Sequence, residues 1–501
     1  MKNQKLIALL AGAALTAAAG TAFAADTTLN LFGSSAQAKF WGTSTVAGAQ
    51  VKTQVENWML ATVANGGLGC ASTSSIASIA GSGNDSGNTY YQMTGTGCTS
   101  TLVTNLNADG SLTVNYGSDD SVSGIMAAQG QVDTFSNDAC SQGPTYRLLP
   151  PQGGGTLTCQ PITVGVSDVA ASAIVEVTYG AKTGPMGGAT VVPNYSGAAY
   201  NAPDGNTYAN TVIQTSNVLD LNQPNTLATP FAFWVNNAVT ATQCTSGLVG
   251  DYCASNADCD TAYAKGNGVC GAASTIKNMT RSMAVMLFSG QVPNWSYFGN
   301  AFTAQPVTIC LRHAGSGTMA TLDNAVISAG QTGWGAGLVT AQETYAAGSN
   351  PNVWFNWTST NEMNCIAGET TANSGALSAI GAVGYSDADA SNATNVSEMT
   401  YQGVYPTRSA MSNGIYDFYA IAHYYVNSQY ETAANGGTAT AGTANAYLGA
   451  LANSMVSWAA VPTNMAPAKS NYWATVNEMN YYKTSDFAYP AFEGANIPFQ
   501  N

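Results

Sequence analysis

The chain has 501 residues, 45% of them hydrophobic and 10% aromatic, enough apolar material for more than one core and too much for a disordered chain. Only 8% of residues are charged and the formal net charge is -14, which excludes nucleic acid and anionic membrane surfaces, since both require basic patches. An anion bound by such a chain is held by local donors, not by the overall field.

Lys2 and Lys5 precede an apolar run from Leu6 to Thr21, and Ala22-Phe23-Ala24 supplies a small-x-small cleavage pattern. Residues 1–24 therefore read as a secretory signal, too short and wrongly flanked for a membrane span, and no later apolar run of about 18 residues follows. Cleavage would place the mature chain in the periplasm or outside the cell. That location suits ten cysteines, all in the exported part, as disulfides. By order alone, Cys70 is expected with Cys98, Cys140 with Cys159, and Cys310 with Cys365.

Leu29 to Phe32 reads as a first strand, Gly33-Ser34-Ser35-Ala36 as the turn after it, and 37–62 as helix. After a Gly/Ser/Ala-rich loop, Tyr90 to Met93 is a second strand, ending in a hydroxyl-bearing turn around Thr96. Asn105 to Gly110 resembles the start of a calcium loop. Tyr116 stands where the bidentate Glu belongs, however, so an Asp-Gly turn is the expectation and no metal is assigned. Residues 112–159 are polar, turn-rich and carry no clear period. Ile162 to Asp168 is a strand ending in a carboxylate, which either caps the next helix or faces a cleft.

Pro230 to Asn237 reads as a long buried strand crossing between lobes. Cys244, Cys253, Cys259 and Cys270 then lie in a Gly/Asp/Asn-rich insertion at about 244–275. Without a companion His or any C-x2-C pair, they predict two disulfides and not zinc. A helix is expected over 279–287. Next comes the most informative stretch: Val307 to Leu311 is a buried-strand pattern, Arg312 and His313 follow, and Ala314-Gly315-Ser316-Gly317-Thr318 leads into a helical pattern to Ile327. A strand, a small-residue turn and a helix start gather backbone N–H groups at the positive end of a helix. With Arg312 beside them, they make a site for a tetrahedral oxyanion. Further strands are expected at 379–385 and 415–421, and a helix at 443–459.

Taken together, Gly33-Ser34-Ser35-Ala36, Tyr91-Gln92 with Gly95-Thr96-Gly97, Val166-Ser167-Asp168, Phe288 to Trp295, Arg312 with Gly315 to Thr318, Ala379-Ile380-Gly381 with Gly384-Tyr385, and Tyr405-Pro406 follow one another in a familiar order. The chain resembles the periplasmic phosphate-binding proteins of ABC importers, over about two-thirds of its length. The resemblance implies an α/β, two-lobed type II periplasmic-binding-protein fold with disulfide-rich insertions. Lobe one would be 25–230 plus 405–501 and lobe two 231–404. It also implies ligand donors at Ser35, Ala36 (through its backbone N–H), Thr96, Arg312, Ser316, Gly317 and Thr318, and a proton acceptor at Asp168. Ala314 departs from the pattern, for many members carry there an aspartate that steadies the arginine.

The function so implied is binding of phosphate or a similar oxyanion, with an ABC importer permease as partner and no cofactor. A surface structural or adhesive protein on the same scaffold is the alternative. A secreted phosphatase would need a nucleophile with a base, or a metal pair. Only two His exist, His313 and His423, and there is no Gly-x-Ser-x-Gly, so no enzyme is expected.

Overall fold

A computed structural model describes residues 27–42, 52–80, 88–131, 140–171, 195–196, 218–221, 227–288, 291–312, 315–327, 353–356, 358–368, 381–388, 390, 394–465, 472–486 and 488–492. Residues 1–24, where a secretory signal is expected, His313 and Ala314 lie outside them.

The chain is an α/β protein with two large sheets. On the first side it runs through β1 (Thr28–Ser34), α1 (Ser35–Gly42), α2 (Gln54–Leu60), β2 (Ser72–Ala80), β3 (Thr89–Thr96), β4 (Leu112–Asp119), α3 (Ser121–Gln129), β5 (Val164–Ser167) and β6 (Val218–Asp220). A long strand, β7 (Leu227–Asn236), leads to α4 (Arg281–Phe288), β8 (Thr308–Arg312) and α5 (Gly317–Thr321), which continues as a π turn over Leu322–Ile327. There follow β9 (Val353–Asn356), α6 (Ser359–Ala367), β10 (Ala382–Asp387), β11 (Val396–Tyr401), β12 (Tyr419–Ile421), β13 (His423–Asn427) and α7 (Ala444–Ala459).

The two sheets repeat one plan. In the first, β4, β1 and β5 are parallel neighbours and β13 pairs antiparallel between β5 and β6. In the second, β9, β8 and β10 are parallel neighbours and β7 pairs antiparallel between β10 and β11. Each sheet thus receives one antiparallel inner strand from the chain arriving from the other half. The two arriving segments also pair with each other, Ala228 opposite Ile421 and Pro230 opposite Tyr419. This is the two-lobed architecture expected from the sequence, joined by crossing strands. Residues 195–196 pair with β9 in the second sheet, although they fall within the segment expected for lobe one.

Several expected elements are present near their expected bounds. Three stretches differ: β2 forms in the expected Gly/Ser/Ala-rich loop, a helix capped by Thr53 begins at Gln54 inside the single helix expected over 37–62, and in the unassigned stretch 112–159 β4 is buried along its whole length inside the first sheet. Its polar inward residues are satisfied far from themselves in sequence. Asn115 donates to Asn30 Oδ1 at 2.9 Å and to the Pro150 carbonyl at 3.0 Å, and accepts from Gln92 at 3.0 Å. Buried amides bonded in this way cost little.

One apolar cluster runs through both halves, joining Val122, Ile125 and Val169 with Met319, Leu322 and Tyr385. Among the described residues no helix is long and apolar enough to cross a membrane.

Five disulfides form: Cys70–Cys98, Cys140–Cys159, Cys244–Cys259, Cys253–Cys270 and Cys310–Cys365, including the three pairs expected by order. The last closes the longest loop, 55 residues, and ties α6 to β8. In the chain-entropy account, opening a loop of that size costs roughly 4 kcal/mol. Replacing Cys310 and Cys365 together by Ser should therefore lower stability by several kcal/mol in denaturant unfolding. Mass spectrometry of the non-reduced wild type should find no free thiol.

Candidate functional site

In parallel α/β sheets, ligands lie beyond the carboxyl ends of the strands, where helix N-termini also point. Here those ends carry Ser34 and Ser35 after β1, Asp119 at the end of β4, Asp168 after β5, Arg312 at the end of β8, and Asp387 at the end of β10. The two sheets bring these ends face to face. The Val122 N–H donates to the Gly315 carbonyl at 3.3 Å, joining α3 of the first half to the turn before α5 of the second.

Asp168 is the hub of this meeting. Its Oδ1 accepts from Ser34 Oγ at 2.5 Å and from the Gln37 amide at 3.3 Å, and its Oδ2 accepts from Ser121 Oγ at 3.3 Å. Ser121 Oγ in turn accepts from the Asp168 N–H at 3.0 Å. Ser34 and Gln37 lie at the start of α1, and Ser121 is the first residue of α3. The third helix start is α5, whose Gly317 is packed so closely that an added Cβ would lie 2.2 Å from Ser121 Oγ and 2.7 Å from Asp168 Oδ2. Three helix N-termini therefore converge on one buried carboxylate, and Gly317 is required by that approach.

Beside this hub is a cavity of about 100 Å³. A single water needs roughly 10–15 Å³ of such space, so a five-atom oxyanion fits. Ser35 and Lys39 of α1 and Asp119 of β4 line it from the first half; Arg312, Ser359 of α6 and Asp387 line it from the second. Arg312 is buried and held in place, its guanidinium donating to Ser359 Oγ at 2.9 Å and its N–H to the Tyr385 hydroxyl at 3.1 Å. Burial keeps nearby Glu362 well above the usual carboxylate range, although Arg312 pulls it down. Lys39 and Asp387 form an ion pair at 3.2 Å that spans the two halves.

The expected site residues divide accordingly. Ser35 and Arg312 face the cavity from opposite sides. Asp168 and Gly317 meet at the hub, and Ser316 caps α5 by accepting from the Met319 N–H at 3.4 Å. Ala36 and Thr318 are buried close by in sequence, Ala36 within the shared apolar cluster. Thr96 is a correction. It is exposed at the far end of β3, its hydroxyl 2.7 Å from that of Ser72, whereas Thr89 at the opposite end lines the cavity. Seven residues of strand separate the two, about 23 Å. Asp168 also differs from expectation in that its oxygens are already engaged, and the carboxylates lining the cavity are Asp119 and Asp387. His423 is buried on β13 and pairs with Asp220 at 2.8 Å.

No protein-family model and no curated protein matches the sequence. Among solved structures the chain is similar to an ABC-type phosphate transport receptor from Vibrio cholerae, at 13% identity over 49% of this chain and 72% of that one, with a TM-score of 0.28. It is also similar to a phosphate-binding protein from Stenotrophomonas maltophilia, at 13% identity, 56% and 68% coverage, and a TM-score of 0.30. A third is the periplasmic phosphate-binding protein PfluDING bound with phosphate, at 12% identity, 80% and 81% coverage, and a TM-score of 0.35. These neighbours are binding proteins.

Burial pushes the Asp168 carboxyl up to about 6, against the pull of its bond from Ser34 and with added repulsion from Asp387. A carboxyl raised on folding leaves stability intact below its unfolded value near 4 and erodes it as pH rises towards 6. Asp168→Asn should therefore be more stable than wild type at pH 7–8, by up to about 3 kcal/mol. The gap should close near pH 4. Urea unfolding at both pH values checks this; an Asn variant weaker at every pH would show that the hydrogen bonds outweigh burial.

Proposed function

We propose that the protein binds a tetrahedral oxyanion, phosphate in the first instance, between its two halves, and acts as an exported solute-binding protein and not as an enzyme. One observation carries the reading: Ser35 at the start of α1 and the buried Arg312 at the end of β8 face one cavity of oxyanion size. A guanidinium held by a hydroxyl is a preorganised fork for two oxygens of one anion. Residues 25–230 with 405–501, apart from the 195–196 strand that joins the second sheet, serve as one jaw and 231–404 as the other. In a periplasmic or extracellular setting, an ABC importer permease is the partner that such a carrier would serve.

On this reading the cavity carboxylates would favour phosphate over sulfate. Asp119 and Asp387 face the ligand as acceptors. Phosphate at neutral pH keeps a proton to donate to one of them. Sulfate has none, and would set an oxyanion against a carboxylate with no bond between them. Sites that leave a buried polar group unpaired discriminate by up to roughly 10⁴–10⁵.

Titration calorimetry at fixed ionic strength should show phosphate binding and sulfate failing to compete. Arg312→Ala should weaken phosphate binding by about 1.5–3 kcal/mol, the usual contribution of a hydrogen bond to a charged group. Phosphate binding unchanged in Arg312→Ala would remove the cavity from the site, and equal affinity for sulfate would remove the carboxylates from it.

A further inference from the structure

The charges lining the cavity do not suit a bare dianion alone. Two cations, Lys39 and Arg312, are matched there by two carboxylates, Asp119 and Asp387. A dianion added to that balanced set would leave two net negative charges in a partly buried space, where water screens them less than it does at the surface. Lys39 cannot serve the anion fully either, because it is already drawn 3.2 Å from Asp387 across the two halves.

Asp387 gives the direction of the missing charge. The residue is 2% exposed, it lines the cavity, and among the described residues its Oδ1 receives no hydrogen bond. A buried carboxylate oxygen without a donor costs more than a lost hydrogen bond and calls for a cationic or N–H partner. Asp119 faces the same space from the end of β4. A metal ion is the poorer occupant. Among the described residues the only cluster of three or more His, Cys, Asp or Glu ligand atoms close enough to hold an ion is Cys244, Cys253 and Cys259, all tied up in disulfides.

Resting on the oxyanion reading above, we propose that the preferred ligand is a short phosphomonoester that also carries an ammonium group. Its phosphate sits between Ser35 and Arg312, and its ammonium donates to Asp387 and Asp119. Such a ligand brings its own counter-charge, so the cavity keeps one net negative charge in place of two. It also supplies the donor that Asp387 Oδ1 lacks. Inorganic phosphate, with a single proton to donate, then satisfies only one of the two carboxylates.

The test is calorimetric titration of the full exported chain with inorganic phosphate, phosphoethanolamine and glycerol 2-phosphate, the last being an ester of similar size without the ammonium. Phosphoethanolamine should bind at least about tenfold more tightly than glycerol 2-phosphate. Asp387→Asn and, separately, Asp119→Asn should bring that ratio towards one, the two variants guarding against misfolding of either. Inorganic phosphate binding with no preference between the two esters would overturn the proposal and leave the oxyanion reading standing. Failure of all three ligands would overturn both. A preference for phosphoethanolamine that survives both substitutions would overturn the assignment to these carboxylates.

Discussion

The structure depends on a buried carboxylate being worth its desolvation. Asp168 stands 2% exposed among donors from two helix starts, Ser34 and Gln37 of α1 and Ser121 of α3, with the Gly317 backbone pressed against it. Alone, such a group would be strongly unfavourable in the interior. Here the donors and the nearby positive helix ends offset much of that cost, and in return one atom pair fixes the relative position of three elements. Two of those elements, α1 and α3, bond Asp168 from its own half, and the third, α5 of the second half, meets it only through the close approach of Gly317, so it is that contact which bears on the spacing of the two halves.

That spacing decides what the rest of the site can be. With each sheet carrying one strand delivered from the other half, and β7 pairing with β12 where the chain crosses, the strand ends are held opposite one another by backbone hydrogen bonds. The apolar cluster shared by Val122, Val169, Met319 and Leu322 lies in the same junction. What it leaves over is the cavity bounded by Ser35, Lys39, Asp119, Arg312, Ser359 and Asp387. Packed apolar interiors resist gradual deformation, so any change in the angle between the halves has to be a step between discrete arrangements at the crossing strands.

Much of this was legible in the sequence, and what was not has a physical reason. The strand, turn and helix around Arg312 could be read because apolar period, small-residue turn and helix start all agree over 307–327. β4 could not, because Thr113, Asn115 and Ser118 break the apolar pattern and their partners, such as Asn30 and Pro150, lie far away along the chain. Without a readable β4, nothing in the sequence places Asp119 or Ser121 at the strand ends. Asp387 did carry a signal: like Asp168 it ends a short run of buried strand residues, and the sheet rule places both at the binding edge. Lys39 carried none, since a lysine in the last turn of a helix is most often a solvated charge.

The net charge of -14 is compatible with an anion site for a reason of scale. Charges separated by more than about 8 Å in physiological salt are largely screened from one another, while buried groups are not. On the proposed reading, affinity would be set by Arg312, Lys39 and the carboxylates that share their cavity, at contact distances. The acidic surface acts on a different quantity, the rate at which an anion arrives, since long-range steering is set by the summed field. For an inorganic dianion that field and the cavity carboxylates both work against entry. For a ligand that carries an ammonium, its lower net charge weakens the first effect, and the second becomes attraction. On the proposed reading the same mixed charge would govern both approach and retention, so the balance of Lys39, Asp119, Arg312 and Asp387, more than the guanidinium alone, would define the ligand class.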